Sequence, residues 1–179
     1  MKRIGWNQYF MMLAKLASSR STCISRPVGC VLVKNNHVLA TGYNGSISGA
    51  PHCIEQEKCF RRQQEVPDDV KHLYCRSSHA EANIVAQAAK YAIDSFDSTL
   101  FITLYPCYTC YKLLCTAGIR TIYYESKYES VNVGANFNKI FIEDNGPITF
   151  SQLTIDPETL TYTMKHLVEP TSVRNLKSE

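Results

Sequence analysis

Two short stretches, separated by what reads as a helix and a buried strand, constrain this chain more than anything else in it. His79-Ala80-Glu81 and Pro106-Cys107-Tyr108-Thr109-Cys110 supply one imidazole, one carboxylate and two thiols. The cysteines are three apart behind a proline that stops a strand and suits a helix start, so their sulfurs project from one side of a first turn. There the unpaired amides and the helix dipole favour anions and stabilise thiolates. Two thiolates and one imidazole form a borderline-soft set suited to zinc, and three protein ligands leave a fourth position for water. His79 and Glu81 would diverge on a regular helix, so both serve one site only if His79 stands at the very start of its helix. Alone, Glu81 is a favourable first-turn acid; beside a metal-activated water it can carry a proton to a substrate nitrogen.

The elements around these stretches follow from residue pattern. Ile4, Trp6, Phe10, Leu13, Ala14 and Ala17 recur at helical spacing, which predicts an amphipathic helix over residues 4–17. Residues 28–34 and 38–43 flank Asn35-Asn36 and predict a strand, turn, strand hairpin. The alanine-rich run 79–92 predicts a helix, and the β-branched and apolar run 99–104 a buried central strand. A helix over 107–117, closed by Gly118, leads to a strand over 119–124. Further on, the pattern predicts a short helix over 136–145, a fifth strand over 148–153, a small helix over 157–167 and a frayed polar tail. This order gives an α/β domain with a mixed sheet and helices on both of its faces.

Composition narrows the chemistry. With 179 residues, 45% hydrophobic and 20% charged, the chain suits one folded domain. A net charge of +3 lacks the dense basic patch of a dedicated nucleic-acid binder but suits a small anionic substrate. The apolar run 11–17 is short and broken by Lys15, and no stretch nears the roughly 20 apolar residues of a membrane span, so a cytoplasmic protein is expected. In that reducing setting eight cysteines favour metal over disulfides. Cys30, in a strand, and Cys115, in a helix, read as small buried hydrophobes. Cys53, Cys59 and Cys75 lie with His52 and His72 in a long irregular segment, 46–78, which something must fix. With Cys23 these cysteines can make a closed four-thiolate site; His52 and His72 are competing ligands, and free thiols are the bland alternative. Arg20, Arg26, Arg76 and Lys127 are the basic residues placed to hold an anion.

His-x-Glu followed by Pro-Cys-x-x-Cys is the signature of zinc nucleobase deaminases. Joined to Arg26-Pro27-Val28-Gly29, Thr41-Gly42-Tyr43-Asn44-Gly45, His79-Ala80-Glu81-Ala82-Asn83 and Thr103-Leu104-Tyr105-Pro106-Cys107-Tyr108-Thr109-Cys110, it makes residues 1–155 resemble the deoxycytidylate (dCMP) deaminase family. That resemblance implies a three-layer α-β-α cytidine deaminase-like fold with a mixed five-stranded sheet, residues 156–179 forming a C-terminal extension. It implies Zn2+ on His79, Cys107 and Cys110, with Glu81 as proton shuttle, and hydrolysis of dCMP to dUMP and ammonia for dTTP synthesis. It also implies substrate contacts at Asn44, Ala80 and Tyr128; Arg26 and Lys127 adjoin family-like stretches and are the favoured phosphate contacts. Activation by dCTP and inhibition by dTTP, with Mg2+, would act through Gly42, Tyr43, Asn44 and Gly45. A homo-oligomer, a hexamer, is expected, in the host cytoplasm if the source is viral, with no nucleic-acid or membrane partner.

Some members of the resembled family carry a second, structural zinc, with cysteines placed like Cys23 and Cys53. Tyr105 departs from the family pattern, where a small residue is common, and its ring is expected to narrow the pocket. Two other readings compete. A tRNA-type polynucleotide deaminase should show a broader basic surface or exposed aromatics for stacking. A non-catalytic zinc-binding assembly module would need no Glu81 and usually four protein ligands.

Overall fold

Asn35 and Asn36 both take positive φ, 51° and 60°, which joins β1 (Gly29–Lys34) to β2 (His37–Tyr43) through a tight turn. Asparagine tolerates the left-handed region, and two such residues in succession match the twist of antiparallel strands. The computed structural model describes residues 3–67, 70, 74–127 and 146–169. The helix expected over 136–145, the tail, Tyr128 and His72 fall outside them.

The main sheet has the order β2-β1-β5-β6-β7, with β5 at Thr99–Leu104, β6 at Thr121–Ser126 and β7 at Thr149–Gln152. β1 pairs antiparallel with both β2 and β5, whereas β5, β6 and β7 run parallel. Period-two alternation sends the two faces of each strand to different partners. Val31, Val33 and Phe101 pack against Phe10, Met11 and Ala14 of α1 (Trp6–Ser18). Cys30, Leu32, Leu100, Ile102 and Ile122 point the other way, onto Ala80 and Ile84 of α3 (Ala80–Lys90) and Tyr111 and Leu114 of α4 (Tyr108–Thr116). The result is the expected three-layer, mixed five-stranded arrangement. Full burial of Leu100, Ile102, Ile122, Ile84 and Leu114 contributes roughly 1.5–3 kcal/mol per side chain. α1 can lie this close to the sheet because Gly29 has no side chain: a Cβ there would meet the Ala14 carbonyl oxygen and the Ser18 amide.

The 46–78 segment is more ordered than its sequence suggested. A two-stranded antiparallel ladder, β3 (Gly45–Ser46) with β4 (Ser77–Ser78), closes its base, and a single helical turn, α2 (Phe60–Gln63), lies within it. Beyond β7, α5 (Pro157–Val168) is capped by Asp156, whose Oδ1 accepts from the Thr159 amide at 2.7 Å. Its start is tied to α1 through Gln8, which donates to the Thr154 carbonyl and accepts from the Asp156 amide. None of its own residues is buried. Among the described residues no helix is long and apolar enough to cross a membrane.

A candidate metal centre and active site

The two sequence stretches meet because two helices begin at the same edge of the sheet. β5 runs through Tyr105 and Pro106 to Cys107, which is the N-cap of α4 (φ −71°, ψ 164°) and therefore stands one residue ahead of the helix in which it was expected. Cys110 follows in the first turn and is buried. His79 is the N-cap of α3, with extended backbone (φ −71°, ψ 155°), as its sharing a site with Glu81 required. That irregular residue brings the imidazole and the Glu81 carboxyl to one place.

His79 Nδ1 lies 3.6 Å from Cys107 Sγ and 3.4 Å from Cys110 Sγ. A tetrahedral zinc, bonded at about 2.3 Å to sulfur and about 2.0–2.1 Å to nitrogen, separates those two atoms by about 3.6 Å. All three donor atoms lie within 4.8 Å of one another, and among the described residues no other His, Cys, Asp or Glu set does. The donor set thus fits zinc in type and spacing, with Nδ1 as the imidazole ligand. Glu81 stands outside that set, so it is a neighbour and not a fourth ligand.

The electrostatics describe a pocket of crowded anions. Burial pushes the Glu81 carboxyl, only 4% exposed, up to about 7. Hydrogen bonding from Cys110, helped by His79, holds the Cys107 thiol well below its ordinary range, and the same bond drives Cys110 upward. His79 is raised by its contact with Cys107 and by the Glu81 charge. Two thiols sharing one proton beside an imidazole are prepared to exchange that proton for a cation.

The first turn of α3 is seated on the hairpin by contacts the sequence reading missed. Cys30 Sγ donates to the Ala80 carbonyl at 3.4 Å, and Asn83 Nδ2 donates to the Tyr43 carbonyl at 2.8 Å. A Cβ on Gly42 would lie 2.7 Å from the Ala80 carbonyl oxygen and 2.9 Å from Cys30 Sγ and from Ile84 Cβ. A glycine inside a strand often marks such a close approach, and that signal was present in Thr41-Gly42-Tyr43. Cys30 was correctly expected to be buried, but its position under the site was not visible in sequence.

The remaining site candidates fall in three places. Ala80 is fully buried, with its carbonyl occupied by Cys30. Asn44 is 7% exposed and spends its side chain within the chain: Oδ1 accepts from the Val28 amide at 2.8 Å and the Ser21 hydroxyl at 2.6 Å, and Nδ2 donates to the Arg26 carbonyl at 2.9 Å. Tyr43 is half-buried, and Gly45 lies in the small ladder. Arg26 and Lys127 both line a cavity of about 410 Å3 at the same sheet edge. Tyr128 lies outside the described residues. The Tyr105 ring turns into the core, stacked on Phe150 and edge-on to Tyr124 at 4.9 Å each, and is 9% exposed.

Cys23, Cys53, Cys59 and Cys75 come together around one small cavity of about 30 Å3 beneath Phe60 and Arg76, and His52 is not among its walls. Burial raises the Cys53 thiol, and the neighbouring Cys23 and Cys59 raise it further. At Cys59 burial acts upward too, but the Arg62 amide and the Arg61 guanidinium outweigh it and hold the thiol below its ordinary range. No three of the four sulfurs meet the 4.8 Å spacing of the first site.

Fold and site together place a zinc-type donor set and a neighbouring buried carboxyl at the edge of an α/β sheet. The family model for the cytidine and deoxycytidylate deaminase zinc-binding region matches residues 4–126, and the chain belongs to that family. It is 40% identical over 131 residues to ComE operon protein 2 of Bacillus subtilis, covering 73% of this chain and 64% of that one. It is 36% identical over 129 residues to the deoxycytidylate deaminase of Mycobacterium phage D29, covering 69% of this chain and 97% of that one. Among solved structures it is similar to the dCMP deaminase of cyanophage S-TIM5 in complex with dCMP and dUMP, with a TM-score of 0.63, 25% identity and coverage of 86% and 100%. The chain spans less than two thirds of several relatives: 64% of the Bacillus protein and 38% and 39% of two fungal deoxycytidylate deaminases.

Proposed function

We propose that this chain hydrolyses dCMP to dUMP and ammonia at the site formed by His79, Cys107, Cys110 and Glu81. The observation that carries the reading is a carboxyl buried beside three zinc-type donors yet outside their set. The phage deoxycytidylate deaminase and the solved dCMP deaminase with dCMP and dUMP direct it to this substrate.

His79, Cys107 and Cys110 would hold the zinc. When bound, that ion supplies Lewis acidity, bringing the pKa of a water down to about 7. Glu81 takes a proton from the attacking water and delivers it to ring N3 as the new C–O bond forms at C4. Glu81 then carries the second water proton to the amino group, the C4–N bond breaks, and ammonia leaves. Burial raises the Glu81 carboxyl above its ordinary range, which favours its taking up the proton that it then passes on. Cys30, Asn83 and Gly42 keep the turn that bears it in place. The test is a substrate panel of dCMP, CMP, dCTP, deoxycytidine and a tRNA anticodon stem, run with and without dCTP and dTTP. We expect dCMP to be deaminated fastest and the RNA left intact; RNA turnover with inert dCMP would overturn the reading in favour of a polynucleotide deaminase.

The finer expectations belong to the same reading. Activation by dCTP and inhibition by dTTP, with Mg2+, and assembly into a homo-oligomer, a hexamer, rest on family resemblance. Rate curves that superimpose with and without dCTP would remove the first, and a monomeric mass in solution the second. A cytoplasmic site of action, in the host if the source is viral, follows from the same resemblance and the phage relative. A second, structural zinc on Cys23, Cys53, Cys59 and Cys75 is favoured by their gathering around one cavity. It would draw the four sulfurs inward and close the 46–78 segment. Metal analysis of the purified protein should then give two zinc ions per chain, and one would exclude it.

A further inference from the structure

Cys107 is the N-cap of α4 and makes no side-chain cap hydrogen bond. The helix therefore holds it from one side only, through its carbonyl, which accepts from the Tyr111 amide at 2.9 Å. From the other side it depends on the chain before it. Pro106 is fully buried and has no N–H to donate. The sheet's hold ahead of the thiols is thus at Tyr105, whose amide donates to the Ser126 carbonyl at 2.9 Å and prolongs the β5–β6 ladder by one bond. The Tyr105 ring is stacked on Phe150 and edge-on to Tyr124, with centroids 4.9 Å apart in both pairs. Phe150 also reaches the far side of the thiols, 6.1 Å from the ring of Tyr111, the residue after Cys110. One side chain of β7 is in ring contact with residues on both flanks of the two cysteines.

The two halves of the donor set are seated from opposite ends of the sheet. His79 begins α3, whose first turn rests on the hairpin through Cys30, Gly42 and Asn83. Cys107 and Cys110 begin α4, whose first turn is flanked by rings seated on Phe150 of β7, the strand at the far edge beyond β6. Aromatic pairs in stacked and edge-on orientations add to plain area burial, each by about two- to twelvefold in an equilibrium constant. A metal site feels such support, because groups that orient a ligand from behind typically change metal affinity by about 10- to 100-fold when they are lost. The inward turn of Tyr105 thus places its ring where it can act on the thiols through two residues of backbone.

We propose that Tyr105 and Phe150 clamp the first turn of α4 and position Cys107 and Cys110 for the metal, so that zinc affinity depends on the packing of β7. The inference rests on the reading of His79, Cys107 and Cys110 as a zinc site. Both are positioning residues, acting through the backbone that bears the thiols. The test is competition for zinc between the zinc-loaded full chain and a chelator of known affinity, with the spectrum of the cobalt-substituted protein reporting thiolate geometry. Tyr105→Leu and Phe150→Leu should each weaken zinc binding by about 10- to 100-fold and diminish the thiolate-to-cobalt charge-transfer band. Phe150 is half-buried, so its variant carries the test if Tyr105→Leu does not fold. Tyr105→Phe keeps the ring and should bind zinc within about twofold of wild type. Phe101→Leu removes a ring from the α1 side of β5, where it stacks on Tyr123 at 4.9 Å. It should lower the unfolding temperature and leave zinc affinity and the cobalt spectrum unchanged. Wild-type zinc affinity in both Tyr105→Leu and Phe150→Leu, or an equal loss in Phe101→Leu, would overturn the proposal. A wild-type chain that takes up no zinc would overturn it together with the zinc-site reading. Zinc uptake without dCMP deamination would sink only the proposed function, and the chelator titrations would still decide the clamp.

Discussion

The two thiol clusters of this molecule are built in opposite ways. His79, Cys107 and Cys110 hang from the N-caps and first turns of α3 and α4, which pack on a buried sheet, and their donor atoms already sit at zinc-binding spacing. Cys23, Cys53, Cys59 and Cys75 come from loops and one short helical turn, share a cavity, and are not drawn to that spacing. A site on helix ends is pre-organised by the core. A site on loops must be drawn together by its ligand. The first should therefore keep its shape without a metal, whereas the zinc proposed for the second should take the shape of its loops with it when removed.

That contrast can be broken by experiment. Cys110→Ser should abolish dCMP turnover and remove one zinc per chain while moving the unfolding temperature little, because the core beneath is apolar; a large drop would mean that this site also holds the fold. Cys53→Ser should do the reverse. It should lower the unfolding temperature by about 5–10 °C, open residues 46–78 to proteolysis and leave kcat within about threefold. Unchanged melting and protease resistance would show that the loop needs no metal.

Smaller effects probe the seating of α3. Gly42→Ala forces a methyl into the Ala80 carbonyl, Cys30 and Ile84, and overpacking of this kind costs about 1–3 kcal/mol. Because the displaced turn carries Glu81, kcat should fall about tenfold with KM little changed; urea denaturation and steady-state kinetics together check it. Asn83→Ala removes a single hydrogen bond to Tyr43 and should cost about 1 kcal/mol, with metal content unaltered. A fall in zinc occupancy would place Asn83 nearer the ligands than its hydrogen bond implies.

Legibility in the sequence followed the same division. The hairpin was readable because Asn35 and Asn36 accept the turn's positive φ. His79 had to begin its helix because Glu81 could not otherwise reach the site. The buried central strand over 99–104 was readable from its continuous apolar run, but which of its residues face α1 and which face α3 and α4 was not. Sheet order was not readable, since no local pattern says that β1 lies between β2 and β5. Nor was the β3–β4 ladder, whose pairing of Gly45 with Ser78 spans the whole loop and leaves no local trace. Asn44 was noticed for its motif, but its three bonds to residues 21–28 depend on a fold that brings β2 back beside β1. Tyr105 was expected at the pocket, and the aromatic partners Tyr124 and Phe150 that turn it inward come from later strands.

The most direct test of the account is conversion of dCMP to dUMP by wild-type protein and Glu81→Gln at matched zinc content. The account predicts that kcat falls by about 10²–10⁴, the usual range for a lost general acid–base, with zinc stoichiometry and unfolding temperature unchanged. A Glu81→Gln protein that keeps its zinc and turns over dCMP at the wild-type rate would contradict it.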